Sequence, residues 1–513
     1  MLKNLRFETI KAERTGRPEN IFKDAGIKRH FIYENHVKTI EDENGALRKI
    51  SFINEDKFNF AFDVADVLGT EKPDKLAILH VDKNHVERRF TFADIKRESN
   101  RCANYLKSLG IKKGDRVLLI LRRNYQYWFA LMGLCKLGAI AIPATDQLKE
   151  HDLIYRLDAS GASAVICTSD SNISYEIELA QKKRSEKLIK IITNGPRENW
   201  HNFDREYAAF PDTFERTPES SCGNDPMLMF FTSGTTGNPK MALHSHTYAL
   251  GHFVTAKYWQ RVNPDGIHFT ISDTGWAKAA WGKIYGQWLC ECAVFVYDFD
   301  RFLASDILPM LKKYNITTFC APPTMLRMMI KQDISKYDFS SVEHMTTAGE
   351  ALNPEVYRQF ETLTGLRIME GFGQSETTLV IGNLYGEKTK PGSMGMANPL
   401  YNISIIDENG QPVKDGRTGE IAIKLDGGKP CGLFSEYYLD KDKTDESRKY
   451  GYYHTRDTAW CDKDGYFYYV GRVDDVIKSS GYRIGPFEIE SVIMELPYVL
   501  ECGVSACPDE VRG

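Results

Sequence analysis

From residue 76 the chain alternates short, wholly apolar segments with longer amphipathic ones, and few folds accept that rhythm. Segments 76–81, 116–121, 139–144 and 164–168 lack the polar alternation of a half-wet strand, as in Val117-Leu118-Leu119-Ile120. Between them, 92–109, 125–137 and 150–158 read as helices, the first with Cys102, Ala103, Leu106 and Leu109 along one stripe. Strands that are apolar on both sides need helices over both faces, and in this order they pair in parallel through right-handed crossovers. The expected fold class is therefore α/β, with parallel sheets making a large N-terminal domain over residues 1–473. The pattern changes at 400–473. There Ile405-Ile406-Asp407-Glu408-Asn409-Gly410, the segment 419–424 and the Asp464-Gly465 turn predict antiparallel strands of a β-barrel-like subdomain. A boundary at Asp474 sets off 474–513, in which Gly485-Pro486 opens a helix.

One apolar strand, 227–231, runs into Thr232-Ser233-Gly234-Thr235-Thr236-Gly237-Asn238-Pro239-Lys240. Gly234 and Gly237 let backbone N–H groups turn inward, while Thr232, Ser233, Thr235 and Thr236 add hydroxyls. Lys240 supplies a point charge, and the set suits a polyphosphate. It is not a Walker A loop, which spaces its glycines further apart and follows its lysine with a hydroxyl; here Met241 follows Lys240. A motor or GTPase is disfavoured. A plain Ser/Thr/Gly turn is the alternative.

Further blocks follow in one order: Ala348-Gly349-Glu350-Ala351, Glu370-Gly371-Phe372-Gly373-Gln374-Ser375-Glu376, Tyr453-His454-Thr455-Arg456-Asp457, Gly471-Arg472-Val473-Asp474 and Ser480-Gly481-Tyr482-Arg483-Ile484-Gly485. With the loop they resemble, over about residues 55–513, the adenylate-forming superfamily of acyl-CoA synthetases, adenylation domains and luciferases. Asp273-Thr274-Gly275-Trp276-Ala277-Lys278 and Lys390-Pro391-Gly392-Ser393-Met394-Gly395 look like its medium-chain acyl-CoA synthetases.

The resemblance implies an AMP-forming acid–thiol ligase using ATP, Mg²⁺ and coenzyme A. A carboxylate would attack the α-phosphorus of ATP, pyrophosphate would leave, and a thiol would then displace AMP, chemistry that needs positioning and charge neutralisation above all. On this basis 232–240 would hold the β- and γ-phosphates, with Lys240, Glu376 and Arg472 catalytic and Glu376 the Mg²⁺ ligand. Ser375, beside Gln374, would meet the α-phosphate. Gly349, Glu350 and Ala351 would face Phe372 across the adenine, with Glu370 and Gly371 behind it. Asp457 would hold the ribose hydroxyls and Arg472 the ribose and α-phosphate. For Glu376, Asp457 and Arg472 the alternative is a surface ion pair. Asp474 matches a hinge about which the small domain swings, bringing Ser480, Gly481 and Arg483 to the nucleotide and pantetheine. On this match 474–513 is a hinge and the truncated start of a small α+β domain; a plain linker is the alternative. Gly373 stands where acetate-specific relatives carry tryptophan, so an open acyl channel is expected, bounded by Trp276 and Trp281 with Lys278 beside the acid. The expected substrate is a short-to-medium, branched or aromatic acid, and Gly373→Trp is expected to narrow use toward acetate.

A net charge of −4 offers no global field for nucleic acid. The longest apolar stretch, 128–144, is interrupted by Lys136 and is too short to span a bilayer, so no membrane insertion is expected. The N-terminus mixes both charge signs without an apolar core, which makes the cytoplasm the expected compartment. Eleven cysteines without a C-x-x-C pair argue against zinc. Alternation would put Cys290 and Cys292 on one strand face as packing residues, and Cys320 reads as buried, with a place near the acyl site the alternative. Oligomeric state stays open.

Only residues 475–513 follow Asp474, and no lysine there stands in the motif with which relatives contact carboxylate and α-phosphate. Either residues are omitted or the protein is naturally short, and as written the chain is expected to bind nucleotide but adenylate weakly. Two alternatives to an acyl-CoA synthetase remain: an adenylating enzyme loading a carrier-protein thiol, or a nucleotide- or acyl-binding protein without turnover.

Overall fold

The structure, a computed structural model, describes residues 29–232, 238–475, 477–479, 482–494, 496, 498–499 and 502–507. The apolar segments form the centres of two large sheets. In the eight-stranded sheet Arg116–Ile120 lies between Ile140–Pro143 and Ala164–Thr168, both parallel to it. Every residue of Ala164–Thr168 is buried, which is why the sequence shows no alternation there. The thirteen-stranded sheet has a parallel centre made of Leu76–Val81, Ala293–Tyr297, Ile267–Thr270, Thr318–Cys320, His344–Thr347 and Ile368–Phe372. Beyond Phe372 the pairing turns antiparallel. The strands expected at 400–473, with the Asp464-Gly465 turn between Tyr452–Cys461 and Tyr466–Arg472, are present as a continuation of this second sheet.

Helix Phe92–Ser108 starts where Thr91 and Asp94 cap each other, Thr91 Oγ1 accepting from the Asp94 N–H and Asp94 Oδ2 from the Thr91 N–H. Its buried stripe, including Ile95, Cys102 and Leu106, packs on Gln126–Leu137. Burying each such leucine or isoleucine stabilises the fold by about 1.5–3 kcal/mol. Helix Gln126–Leu137 is buried along almost its whole length, so its one charge must be satisfied internally. The Lys136 ammonium donates to Asp66 Oδ1 (2.6 Å), Ser99 Oγ (2.8 Å) and Asn100 Oδ1 (2.5 Å). Among the described residues no helix is long and apolar enough to cross a membrane.

The two sheets are tied where their strands end. Arg122, just past Arg116–Ile120, donates to Asp300 Oδ1 (2.9 Å) and to the Phe299 carbonyl (2.8 Å), and Arg123 donates to Asp273 Oδ2 (3.0 Å) while stacking over the Phe299 ring. Cys290 and Cys292 are buried as expected, yet they do not share a strand. Cys290 closes helix Tyr285–Leu289 and Cys292 precedes strand Ala293–Tyr297.

The hydroxyl-rich loop has an unexpected setting. Strand Pro226–Thr232 is parallel to Ile140–Pro143 on one side but antiparallel to Lys240–Ser245 on the other, with Thr232 opposite Lys240. Lys240 therefore begins an antiparallel strand, unlike the strand-to-helix setting of a Walker A lysine. Past Asp474, Ile477–Ser479 and Tyr482–Ile484 pair antiparallel, and helix Pro486–Ile493 opens with its proline at the first position.

Candidate active site

Strand Tyr452–Cys461 alternates as a strand must, so Tyr453, Thr455 and Asp457 point inward while His454 and Arg456 face Glu420. Asp457 sits opposite Arg472 in the register and is only 5% exposed. Its Oδ2 accepts from Gln374 Nε2 (2.6 Å) and Arg472 Nη1 (3.2 Å), and its Oδ1 from the Tyr469 hydroxyl (3.2 Å). Gln374 is itself fixed, donating to the Thr455 carbonyl (2.6 Å) and accepting from the Tyr453 hydroxyl (2.8 Å). Burial pushes the Asp457 carboxyl up to about 6, with Arg472 and these hydrogen bonds pulling the other way. The expected nucleotide residues Gln374, Asp457 and Arg472 are thus one network.

A second bridge joins the loop strand to Glu376. Tyr437, on the edge strand beside Lys240–Ser245, donates its hydroxyl to Glu376 Oε1 (3.0 Å), and the Lys240 ammonium lies 5.0 Å from the centre of the same ring. One strand further along, His244 Nε2 lies 2.8 Å from the Ser375 carbonyl. Lys240, Ser375 and Glu376 are therefore gathered together, with Thr232 at the neighbouring strand end. Ser233, Gly234, Thr235, Thr236 and Gly237 lie outside the described residues.

The Phe372 ring tilts against Tyr469 with centroids 6.4 Å apart, forming an aromatic wall beside the Asp457 network. Gly349 has φ +107°, a conformation that favours glycine, and the preceding Ala348 carbonyl accepts from Lys278 Nζ (2.5 Å). This links Lys278 to the segment expected to flank adenine, and burial lowers its pKa. The Glu350 carboxylate is engaged by the Thr324 hydroxyl (2.8 Å) and turns outward, leaving the backbone of 349–351 as the flat surface; Ala351 is partly exposed. Glu370 is buried, its Oε1 accepting from the Leu352 N–H (3.0 Å), and burial pushes its carboxyl up to about 7. Gly371 lies so close to Trp259 and Leu379 that a side chain there would collide with both.

Of the two tryptophans expected beside the acid, Trp276 is 62% exposed and Trp281 is 6% exposed. A Cβ on Gly373 would fall inside contact distance of the Trp281 ring and the Thr378 carbonyl. The space expected to be open directly over Gly373 is thus occupied by the Trp281 indole, which the glycine admits.

Asp474 is exposed and its Oδ1 accepts from Arg456 Nη2 (2.7 Å). Arg483 lies opposite Lys478 in the small hairpin, and Ser480 and Gly481 lie outside the described residues. Among the described residues no three His, Cys, Asp or Glu side chains could together hold a metal ion. A single buried carboxylate steadied by a phenol, as at Glu376, suits Mg²⁺, which takes phosphate oxygens and waters as its other ligands.

Sequence reasoning missed Tyr437, Tyr469 and His244. Tyr453 was accessible through alternation, four positions before Asp457 on the same strand, whereas Tyr469 reaches Asp457 only through the irregularity between Thr458 and Ala459. Tyr437 carries no such signal, because its role depends on pairing with a strand nearly two hundred positions away.

A family model described as AMP-binding enzyme matches residues 67–438. The chain is 39% identical over 465 residues to human "Acyl-coenzyme A synthetase ACSM3, mitochondrial", covering 89% of this chain and 78% of that one. It is 38% identical over 468 residues to human "Acyl-coenzyme A synthetase ACSM4, mitochondrial", covering 89% and 79%. Among solved structures, the anthranilate CoA ligase AuaEII in complex with anthranoyl-AMP superposes with a TM-score of 0.80 at 26% identity, over 88% of this chain and 85% of that one. An acyl-CoA synthetase from Brucella canis gives 0.76 at 29% identity, over 90% and 83%. The chain belongs to the AMP-binding enzyme family, in its acyl-CoA synthetase branch.

Proposed function

We propose that this protein activates a carboxylic acid with ATP, forming acyl-AMP and pyrophosphate, and passes the acyl group to the thiol of CoA. The observation that carries the reading is the pair of bridges on one short segment: Gln374 to Asp457 and Arg472, and Glu376 through Tyr437 to Lys240. On this reading Asp457 serves the ribose and Glu376 the metal ion, and both carboxylates and both cations are tied to residues 374–376. Asp457 accepts from ribose hydroxyls, while Arg472 and Lys240 offset the phosphate charge as the carboxylate oxygen attacks phosphorus and pyrophosphate leaves. Mg²⁺ held at Glu376 would neutralise the leaving phosphates. The CoA thiol then attacks the acyl carbon, and AMP departs with the electrons of the broken acyl–phosphate bond.

For the acid we propose a short-to-medium, branched or aromatic acyl part lying against the flat face of Trp281. Each buried methylene contributes only about 0.8 kcal/mol, so preference should be graded across chain lengths. Pyrophosphate release and thioester formation with free CoA, measured for acetate, propionate, methylbutyrate, octanoate and benzoate, test both statements. No pyrophosphate with any acid would overturn the reaction. Strict preference for acetate would overturn the acid class, and acyl transfer to a carrier protein but not to CoA would redirect the second step.

A further inference from the structure

Helix Glu150–Ser160 buries Leu153 and Leu157, one turn apart, in the apolar layer formed by Met229, Met241 and Leu243 of the paired strands that carry Thr232 and Lys240. Its next two side chains go further along those strands, to their ends. The Tyr155 hydroxyl donates to the Pro239 carbonyl (2.8 Å), directly before Lys240. The Arg156 guanidinium lies 4.5 Å from the centre of the Phe231 ring, directly before Thr232, and the Tyr155 ring meets the same phenylalanine with centroids 6.2 Å apart. Two consecutive residues of one helix thus hold both strand ends between which the hydroxyl-rich stretch runs.

Arg156 is the less expected of the two. It is half-buried, and among the described residues its side chain makes no hydrogen bond and no ion pair, with Nε wholly enclosed. Asp152, one turn earlier on the helix, accepts from the Lys149 N–H instead (3.0 Å). A leucine would cover Phe231 without the cost of drawing an unpaired charge out of water, so the charge calls for an anion that arrives from outside. Strand alternation says how that anion is met. Phe231 and Met241 face the helix, whereas Thr232 and Lys240 face the other way, with Lys240 against Tyr437 beside Glu376. The helix therefore braces the strand ends from behind.

We propose that Tyr155 and Arg156 are positioning residues for the triphosphate of ATP: Tyr155 fixes the backbone that aims Lys240, and Arg156 steadies Phe231 while adding its unneutralised charge to the field at the strand ends. AMP, gripped at Asp457 and lacking the outer phosphates, should be indifferent to both. That difference supplies the test, and it also separates the inference from the nucleotide reading on which it rests.

ATP with Mg²⁺, and AMP alone, are titrated against the full chain by calorimetry with no acid present. Arg156→Met is expected to weaken ATP about tenfold while AMP affinity stays within about twofold. Arg156→Lys, which keeps the charge, is expected to recover most of the loss. Tyr155→Phe, which keeps the ring, is expected to weaken ATP about threefold. In pyrophosphate release the same variants should raise KM for ATP and leave KM for the acid in place. Equal losses for ATP and AMP would mean general damage to the fold and would overturn the inference, as would unchanged ATP affinity in both Arg156→Met and Tyr155→Phe. A lysine variant as weak as the methionine one would overturn the part given to the charge. If the unaltered chain binds neither nucleotide, the nucleotide reading fails and takes the inference with it.

Discussion

The Asp457 network and a buried ring cluster of His244, Tyr248, His252 and Tyr285 flank the same Gln374-Ser375-Glu376 segment, yet they handle buried polarity in opposite ways. Around Asp457 the polar atoms are mutually engaged: both carboxylate oxygens, the Gln374 amide and the Tyr453 and Tyr469 hydroxyls all find partners within the protein. Around His252 both of its ring nitrogens and the Tyr285 hydroxyl find no protein partner among the described residues. A satisfied network is pre-organised and holds its geometry before the ligand arrives, which suits a nucleotide that is the same in every turnover. An unsatisfied one owes its geometry to packing alone.

The comparison breaks most readily at Asp457. Asp457→Ala leaves Arg472, Gln374 and Tyr469 without their shared acceptor and removes the proposed ribose contact; a loss of about 3–5 kcal/mol is expected. Titration with AMP should then show affinity weakened by at least about a hundredfold, and near-normal binding would mean that the network is structural only. Next in size is the Gly373–Trp281 contact. Gly373→Ala is expected to lower stability by about 1–3 kcal/mol through overpacking, and Trp281→Val in the same chain to restore most of it. Denaturant melts of the two single variants and the double variant measure that coupling, and simple additivity would separate the two residues. Gly373→Trp then meets an indole already in place, so narrowed use toward acetate is expected only once Trp281 is shortened.

A subtler effect follows from the titration of Asp457. Its carboxyl sits at about 6 in the fold against about 4 in an unfolded chain, so ionising it costs the folded state. Its contribution to stability therefore falls as pH rises from about 4 to about 6, while nucleotide binding requires the ionised form that appears over the same range. AMP affinity should drop below a midpoint near pH 6, and a profile that keeps this midpoint in Asp457→Asn would assign it elsewhere. The smallest effect belongs to Tyr437→Phe. Water can replace the lost phenol at the Glu376 carboxylate, so the cost is only about 0.5–1.5 kcal/mol. A raised Mg²⁺ requirement for pyrophosphate release, with little change in melting temperature, is the expected signature.

Much of this was legible before any coordinates. Parallel pairing followed from apolar runs such as Ala164-Val165-Ile166-Cys167, because local pattern and global burial agree there. Lys136 was legible as a charge in an apolar stretch but not as a satisfied one, since Asp66, Ser99 and Asn100 reach it only through packing. Order along the chain gave the motif residues, and strand alternation then gave the inward face of Tyr453, Thr455 and Asp457. The packing of Trp281 on Gly373 was hidden, because a glycine announces free space and only the fold says what occupies it. Tyr437 was hidden for a related reason, as cross-strand partners distant in sequence leave no periodic trace.

The link between Arg456 and Asp474 has one more implication. Arg456 adopts φ +62°, with its N–H donated to Glu420 Oε1, and presents its guanidinium to the Asp474 carboxylate in a half-exposed pair. Exposed ion pairs of this kind contribute about 0–1 kcal/mol and are damped by dissolved salt. We propose that the chain turns at Asp474; such a turn would break only this outer pair, and its populations should answer to ionic strength.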